Sequence, residues 1–204
     1  MAFSCAQRIA LAASLFGASF GSLRVPIAQR IERSVADSIR GLRRPSADPL
    51  IGIATDLGSV YGIAGISLAL AATGRRETAV EVGLAGALAW GLAQGAKPLA
   101  KRPRPFESGE TERLVAVPAG TSWPSGHAAV ATAMGLAIGA QGGPMARGLG
   151  RALSGFVGLS RVYVGVHHPT DILAGASVGV VAHLTTSQAI TTARRFRRTA
   201  TCDR

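Results

Sequence analysis

The sequence predicts an all-α fold: an integral-membrane helical bundle of five to six transmembrane helices. Three observations carry that expectation. Only 16% of the 204 residues are charged, against about 25% in a typical soluble domain. Hydrophobic residues make up 48%, much of it Ala, Val and Leu interleaved with 26 Gly. Such small residues let helices approach closely in a bilayer, where apolar burial alone does not drive association. Lastly, apolar segments near the roughly 20 residues a spanning helix needs recur along the chain. A soluble bundle rich in Ala and Gly is the competing reading of the same composition.

The elements follow in order. The stretch "IALAASLFGASFGSL", residues 9–23, lacks a convincing small-x-small cleavage site followed by a soluble domain, so it reads as an anchor or first helix. In residues 24–46, Ile27, Ile31, Val35, Ile39 and Leu42 recur at helical spacing among six arginines. This predicts an amphipathic helix on a surface, either lipid or the domain itself, ended by Pro45. Five core helices are expected at 50–73, 78–96, 128–141, 149–166 and 171–191, interrupted or bordered by Asp56, Glu81, Arg151 and Arg161. The tail "ARRFRRTATCDR" is basic and is expected to be disordered beyond the last helix. The chain thus divides into an N-terminal apolar and amphipathic segment (1–49), a core domain (50–192) and a basic tail (193–204). No strand alternation or internal repeat stands out.

The formal net charge is +11, which suggests nucleic acid, an anionic membrane surface or an anionic substrate as partner. With 5% aromatic residues, no basic-aromatic run suggests a base-stacking platform. Arginines flank the apolar segments instead, which favours the membrane. Cys5 and Cys202 lie near opposite ends and suggest neither a metal site nor a disulfide framework.

Counting crossings places the loop 97–127 and the turn 162–170 on the same side of the bilayer. The unusual polar residues are in these two places. "KPLAKRPRP" begins at Lys97 and holds Arg104-Pro105; "PSGH" is Pro124-Ser125-Gly126-His127; "SRVYVGVHHPTD" supplies Ser160, Arg161, His167 and Asp171. Three cations, two histidines and a carboxylate on one face suit a phosphate group. Singly, the cations also fit interfacial snorkelling, and Asp171 fits a helix cap.

Together these residues resemble the type 2 phosphatidic acid phosphatase family, membrane relatives of vanadium haloperoxidases and bacterial acid phosphatases. The family's motifs are Lys, six residues, Arg-Pro; Pro-Ser-Gly-His; and Ser-Arg, five residues, His, three residues, Asp. All are present in order and spacing. The resemblance implies that Lys97, Arg104, Ser125, Gly126 and Arg161 bind phosphate, with no metal or other cofactor. It implies that His167 is the nucleophile, Asp171 orients it, and His127 is the acid and then the base. His168 reads as a neighbour of His167. Lys101 and Arg102 read as headgroup or substrate contacts at most, and Asp56 and Glu81 as helix–helix or interfacial groups.

The implied function is a multi-pass cell-membrane phosphatase acting on a phosphatidate-like lipid or a polyprenyl phosphate or diphosphate, with no nucleic-acid partner. The alternatives are a vanadate-dependent haloperoxidase-like oxidase and a non-catalytic protein that binds or transports a lipid headgroup. Arg75, Arg76, Arg147, Arg151 and the tail arginines on the opposite face suggest an extracytoplasmic active site, although the six arginines of 24–46 oppose this.

Overall fold

Eight α-helices and two 3₁₀ turns make up the described residues, with no strand among them. This computed structural model describes the backbone of residues 3–202 and the side chains of residues 3–196. Residues 1–2 and 203–204, parts of the expected N-terminal segment and basic tail, lie outside the described residues. The helices are α1 (Cys5–Ser22), α2 (Pro26–Arg40), α3 (Asp48–Ala54), α4 (Val60–Ala72), α5 (Arg76–Ala96), α6 (Gly126–Ala140), α7 (Pro144–Tyr163) and α8 (Pro169–Cys202). The all-α expectation holds.

Helix α6 lies at the centre, packed against α5, α7 and α8. Its sequence is apolar all round, as suits a helix enclosed by others. Small residues set the approach distances. A Cβ on Gly135 would lie 2.3 Å from the Gly150 carbonyl oxygen, so α6 and α7 meet backbone to backbone. On the other side, a Cβ on Gly175 would lie 2.3 Å from the Ser125 oxygen. That contact presses the first turns of α8 against the start of α6. Ala85, Ala89 and Ala93 of α5 complete a core with Ala129, Ala133 and Ala182.

Several expectations need correction. The stretch 50–73 is two helices, bent by 74° around a 3₁₀ turn at Thr55–Gly58. Ser59 causes the restart: its backbone is extended and its hydroxyl accepts the N–H groups of Tyr61 and Gly62, an N-cap. A Cβ on Gly58 would lie 2.6 Å from the His127 carbonyl oxygen, so the turn presses directly on α6. Helix α2 ends at Arg40 with Gly41 as its cap, well before Pro45. Helix α8 runs on to Cys202, through most of the segment expected to be disordered.

The amphipathic helix also faces the other way from an ordinary packed helix. Ile27, Ile31 and Val35 are 60%, 58% and 43% exposed, while Glu32 and Ala36 are 6% and 2% exposed. Among the described residues no single helix is long and apolar enough to cross a membrane. Two bent pairs meet that requirement jointly, α1 with α2 (100°) and α3 plus its 3₁₀ turn with α4 (74°). Glu77 and Glu81 in α5, and Arg147, Arg151 and Arg161 in α7, lower the hydropathy of these two helices.

Candidate active site

The polar residues singled out by the sequence gather at one end of the bundle. Lys97 follows the last turn of α5, and the long loop after it carries Arg104 back across that end. His127 lies in the first turn of α6 and Arg161 in the last turn of α7. Gly165, at φ +80°, then turns the chain towards His167. A Cβ there would lie 2.5 Å from the Glu112 carbonyl oxygen, so the tight turn and the close approach both require glycine.

Asp171 is fully buried in the first turn of α8. Its Oδ2 accepts the His168 N–H at 2.8 Å, which caps the helix. The same oxygen accepts the Ser122 hydroxyl at 2.6 Å. It also lies 3.5 Å from His167 Nδ1, within ion-pair reach but beyond a well-formed hydrogen bond. Capping and orienting are therefore compatible in one carboxylate. His168 Nδ1 is 3.3 Å from that oxygen as well. The other ring nitrogens separate the two histidines: His167 Nε2 lies 3.3 Å from Arg104 Nη1, whereas His168 Nε2 lies 3.5 Å from Glu110.

Burial lowers the His167 pKa to about 3, with Asp171 opposing and Arg104 and Arg161 adding to the depression. The ring is thus neutral over the whole neutral range. Burial likewise brings Lys97 to about 8, helped by Arg104 and opposed by Asp171. Lys97 Nζ donates to the Thr121 carbonyl at 2.6 Å. Arg104 is 1% exposed and donates to the carbonyls of Val166 at 2.9 Å, Ala119 at 3.2 Å and Gly120 at 3.1 Å. It therefore braces the loop as well as facing His167. Arg161 donates through Nη1 to Thr55 Oγ1 at 3.2 Å, and its Nε is buried with no protein acceptor.

Ser125 caps α6, accepting the Ala128 N–H at 3.4 Å, and is fully buried. This gives it a structural task that the motif alone did not reveal. A Cβ built on Gly126 meets nothing within 4 Å, so the space beside the helix start is open. His127 has Arg161, His167, Arg104 and Lys97 as charged or ionisable neighbours, and its Nε2 is 3.4 Å from Asp56 Oδ1. A helix start, buried cations and an unaccepted guanidinium N–H are groups that together could hold an anion.

Three residues reach this end without any motif to announce them. Thr55 holds Arg161 and also pairs with Ser160 Oγ at 2.7 Å; Asp56 faces His127. The polar cluster Thr55–Ser59 within an apolar run was the available signal, since Gly and Ser mark breaks. Arg102 is the clearest departure. Read from the sequence as a headgroup or substrate contact at most, it has a largely buried guanidinium that donates to Asp171 Oδ1 at 2.9 Å. Glu81, by contrast, does make a helix–helix bond, accepting Gln141 Nε2 at 2.5 Å.

A family model described as PAP2 superfamily matches residues 78–195, more than half of the chain. The chain belongs to the PAP2 superfamily. Among solved structures it is similar to the first transmembrane PAP2-type phosphatidylglycerolphosphate phosphatase from Bacillus subtilis. That pair shares 20% identity with a TM-score of 0.76, covering 91% of this chain and 96% of the other. It is also similar to Aquifex aeolicus LpxE, at 24% identity and a TM-score of 0.68, covering 76% of this chain and 93% of the other. Both likenesses show the fold. A comparison with curated proteins gives no match. The PAP2 match contains Lys97, Arg104, His127, Arg161, His167 and Asp171, while Thr55 and Asp56 precede it.

Proposed function

We propose that this PAP2 chain is a multi-pass membrane phosphatase that hydrolyses a lipid phosphate monoester or diphosphate through a phosphohistidine. The observation that carries the reading is His167 Nε2 facing Arg104, with Asp171 behind the same ring. Lys97, Arg104 and Arg161 neutralise the phosphoryl oxygens, and the unaccepted Arg161 Nε donates to one of them. The open space at Gly126 admits the group to the start of α6.

In the first step the Nε2 lone pair of His167 attacks phosphorus and the bond to the lipid oxygen breaks. Asp171 stabilises the imidazolium that forms. His127 gives its proton to the leaving oxygen, or a diphosphate leaves as the lipid monophosphate. In the second step water attacks phosphorus, His127 takes the water proton, and the P–N bond breaks. Inorganic phosphate and neutral His167 result.

Two observations support a lipid substrate in a bilayer. The Bacillus subtilis relative is a phosphatidylglycerolphosphate phosphatase. Large apolar side chains on the outer faces of the helices, such as Leu68, Leu84, Leu149 and Leu173, are exposed by more than half. The test is a panel of phosphatidate, phosphatidylglycerol phosphate and polyprenyl diphosphate offered to purified protein in EDTA, with His167→Ala as the blank. Phosphate release from at least one lipid is expected. A strict need for Mg²⁺, or lipid binding without turnover, would overturn the reading. Bromide oxidation with vanadate and peroxide would favour the oxidase instead.

A further inference from the structure

Glu32 precedes the family match and belongs to no motif, yet it is 6% exposed. A carboxylate this deep is costly unless it is paired and hydrogen-bonded. Arg102 supplies both needs, donating Nη2 to Oε2 at 2.5 Å and Nη1 to Oε1 at 3.3 Å. The Thr170 N–H donates to Oε1 at 3.0 Å, and the Thr170 hydroxyl donates to the same oxygen. Arg102 Nη1 also reaches Thr170 Oγ1 at 2.8 Å and Asp171 Oδ1 at 2.9 Å. One line of alternating charge, Glu32–Arg102–Asp171, thus runs from α2 to the carboxylate behind His167.

We propose that Glu32 is a positioning residue for the phosphatase reaction, acting through Arg102 on Asp171. The proposal rests on the reading of His167 as nucleophile. It has an orientational and an electrostatic part. With Oδ1 held by Arg102, the other oxygen of Asp171 is left to Ser122, the His168 N–H and the His167 ring. A lone guanidinium beside Asp171 would also cancel the negative charge needed as His167 becomes cationic. Glu32 offsets that guanidinium, so the carboxylate behind His167 keeps its effect. Helix α2 thereby becomes part of the catalytic apparatus, although its outward face is an apolar stripe.

A mere tether of α2 to the bundle would predict lower stability with unchanged chemistry per folded molecule. The two readings separate in kinetics on the lipid phosphate turned over fastest in the panel above. Glu32→Gln should lower kcat about 10- to 100-fold while KM stays within about twofold. Arg102→Gln should do at least as much. The double variant should be no worse than Arg102→Gln alone, because both act through one carboxylate. Arg102→Lys keeps the charge but cannot fork between two carboxylates, so it should lose kcat at a near-normal Tm. This variant keeps the proposal testable should the uncharged ones fail to fold. Wild-type kcat in folded Glu32→Gln or Arg102→Lys, with His167→Ala inactive, overturns the proposal alone. Turnover by His167→Ala overturns the reading of the nucleophile on which it rests.

Discussion

Burial and the charge of Arg104 bring Lys97 from an ordinary 10.5 to about 8. The ammonium is therefore present below about pH 8 and lost as the pH rises through it. The free-enzyme parameter kcat/KM should fall on the alkaline side by about tenfold per pH unit. Lys97→Arg should abolish that limb, because a guanidinium stays charged there. A wild-type profile flat to about pH 10 would mean that Lys97 does not bind the substrate phosphate. Arg161 makes a different contribution, through geometry. Its Nη1 is engaged by Thr55 while its Nε has no protein acceptor. Arg161→Lys should cost about 100-fold in kcat, the usual scale for one lost donor to a developing oxyanion. Near-normal turnover would reduce Arg161 to a residue that borders the membrane. The adjacent histidines can be separated directly. Acid-quenched labelling with a radiolabelled aryl phosphate should lose the phosphoenzyme in His167→Ala and keep it in His168→Ala, whose Nε2 faces Glu110. The reverse pattern would shift the nucleophile by one residue.

At the scale of the helices, the site depends on how closely α6 is approached by its neighbours. Replacing Gly150 with Leu would force apart backbones that touch through Gly135. That should cost about 1–3 kcal/mol, seen as a lower Tm in detergent, since overpacking displaces both helices. An unchanged Tm would mean that α7 can tilt away freely. Much of this level was legible in the sequence. The apolar segments 78–96, 128–141 and 149–166 announced α5, α6 and α7, and the helical spacing of Ile27, Ile31 and Val35 announced α2. The rest was hidden for physical reasons. The polar cluster Thr55–Ser59 hints at a break, but the 74° bend is set by one serine cap and one close approach that no local pattern displays. Nor does any local pattern reveal that Arg102 turns inward, because its partners Glu32 and Asp171 are remote in sequence. The period of α2 marked its apolar stripe but could not say which side faced the protein.

For the molecule as a whole, the inside-out orientation of α2 bears on how the chain sits in a bilayer. Its apolar stripe points away from the bundle at the active-site end, as an interfacial helix presents itself to lipid. The six arginines of residues 24–46 complicate the charge rule that orients membrane proteins, which favours the cytoplasm for the arginine-rich face. Two of them, however, have work inside the fold. Arg43 donates to the Tyr163 carbonyl at 2.8 Å and to the Glu112 carbonyl at 3.1 Å, and Arg40 to that of Glu110 at 3.2 Å. Arg75, Arg76, Arg147 and Arg151 at the far end, with the basic end of α8, favour a cytoplasmic far face. On that balance we propose that the active site opens to the outside. A cysteine scan in intact cells tests this, starting from a chain with Cys5→Ser and Cys202→Ser. Lys101→Cys, on the exposed loop beside the site, should react with a membrane-impermeant maleimide before permeabilisation. Met145→Cys, 80% exposed at the opposite end, should react only afterwards. If Met145→Cys labels first, the orientation is inverted, and the arginines of residues 24–46 outweigh those of the far face despite the bonds that Arg40 and Arg43 make.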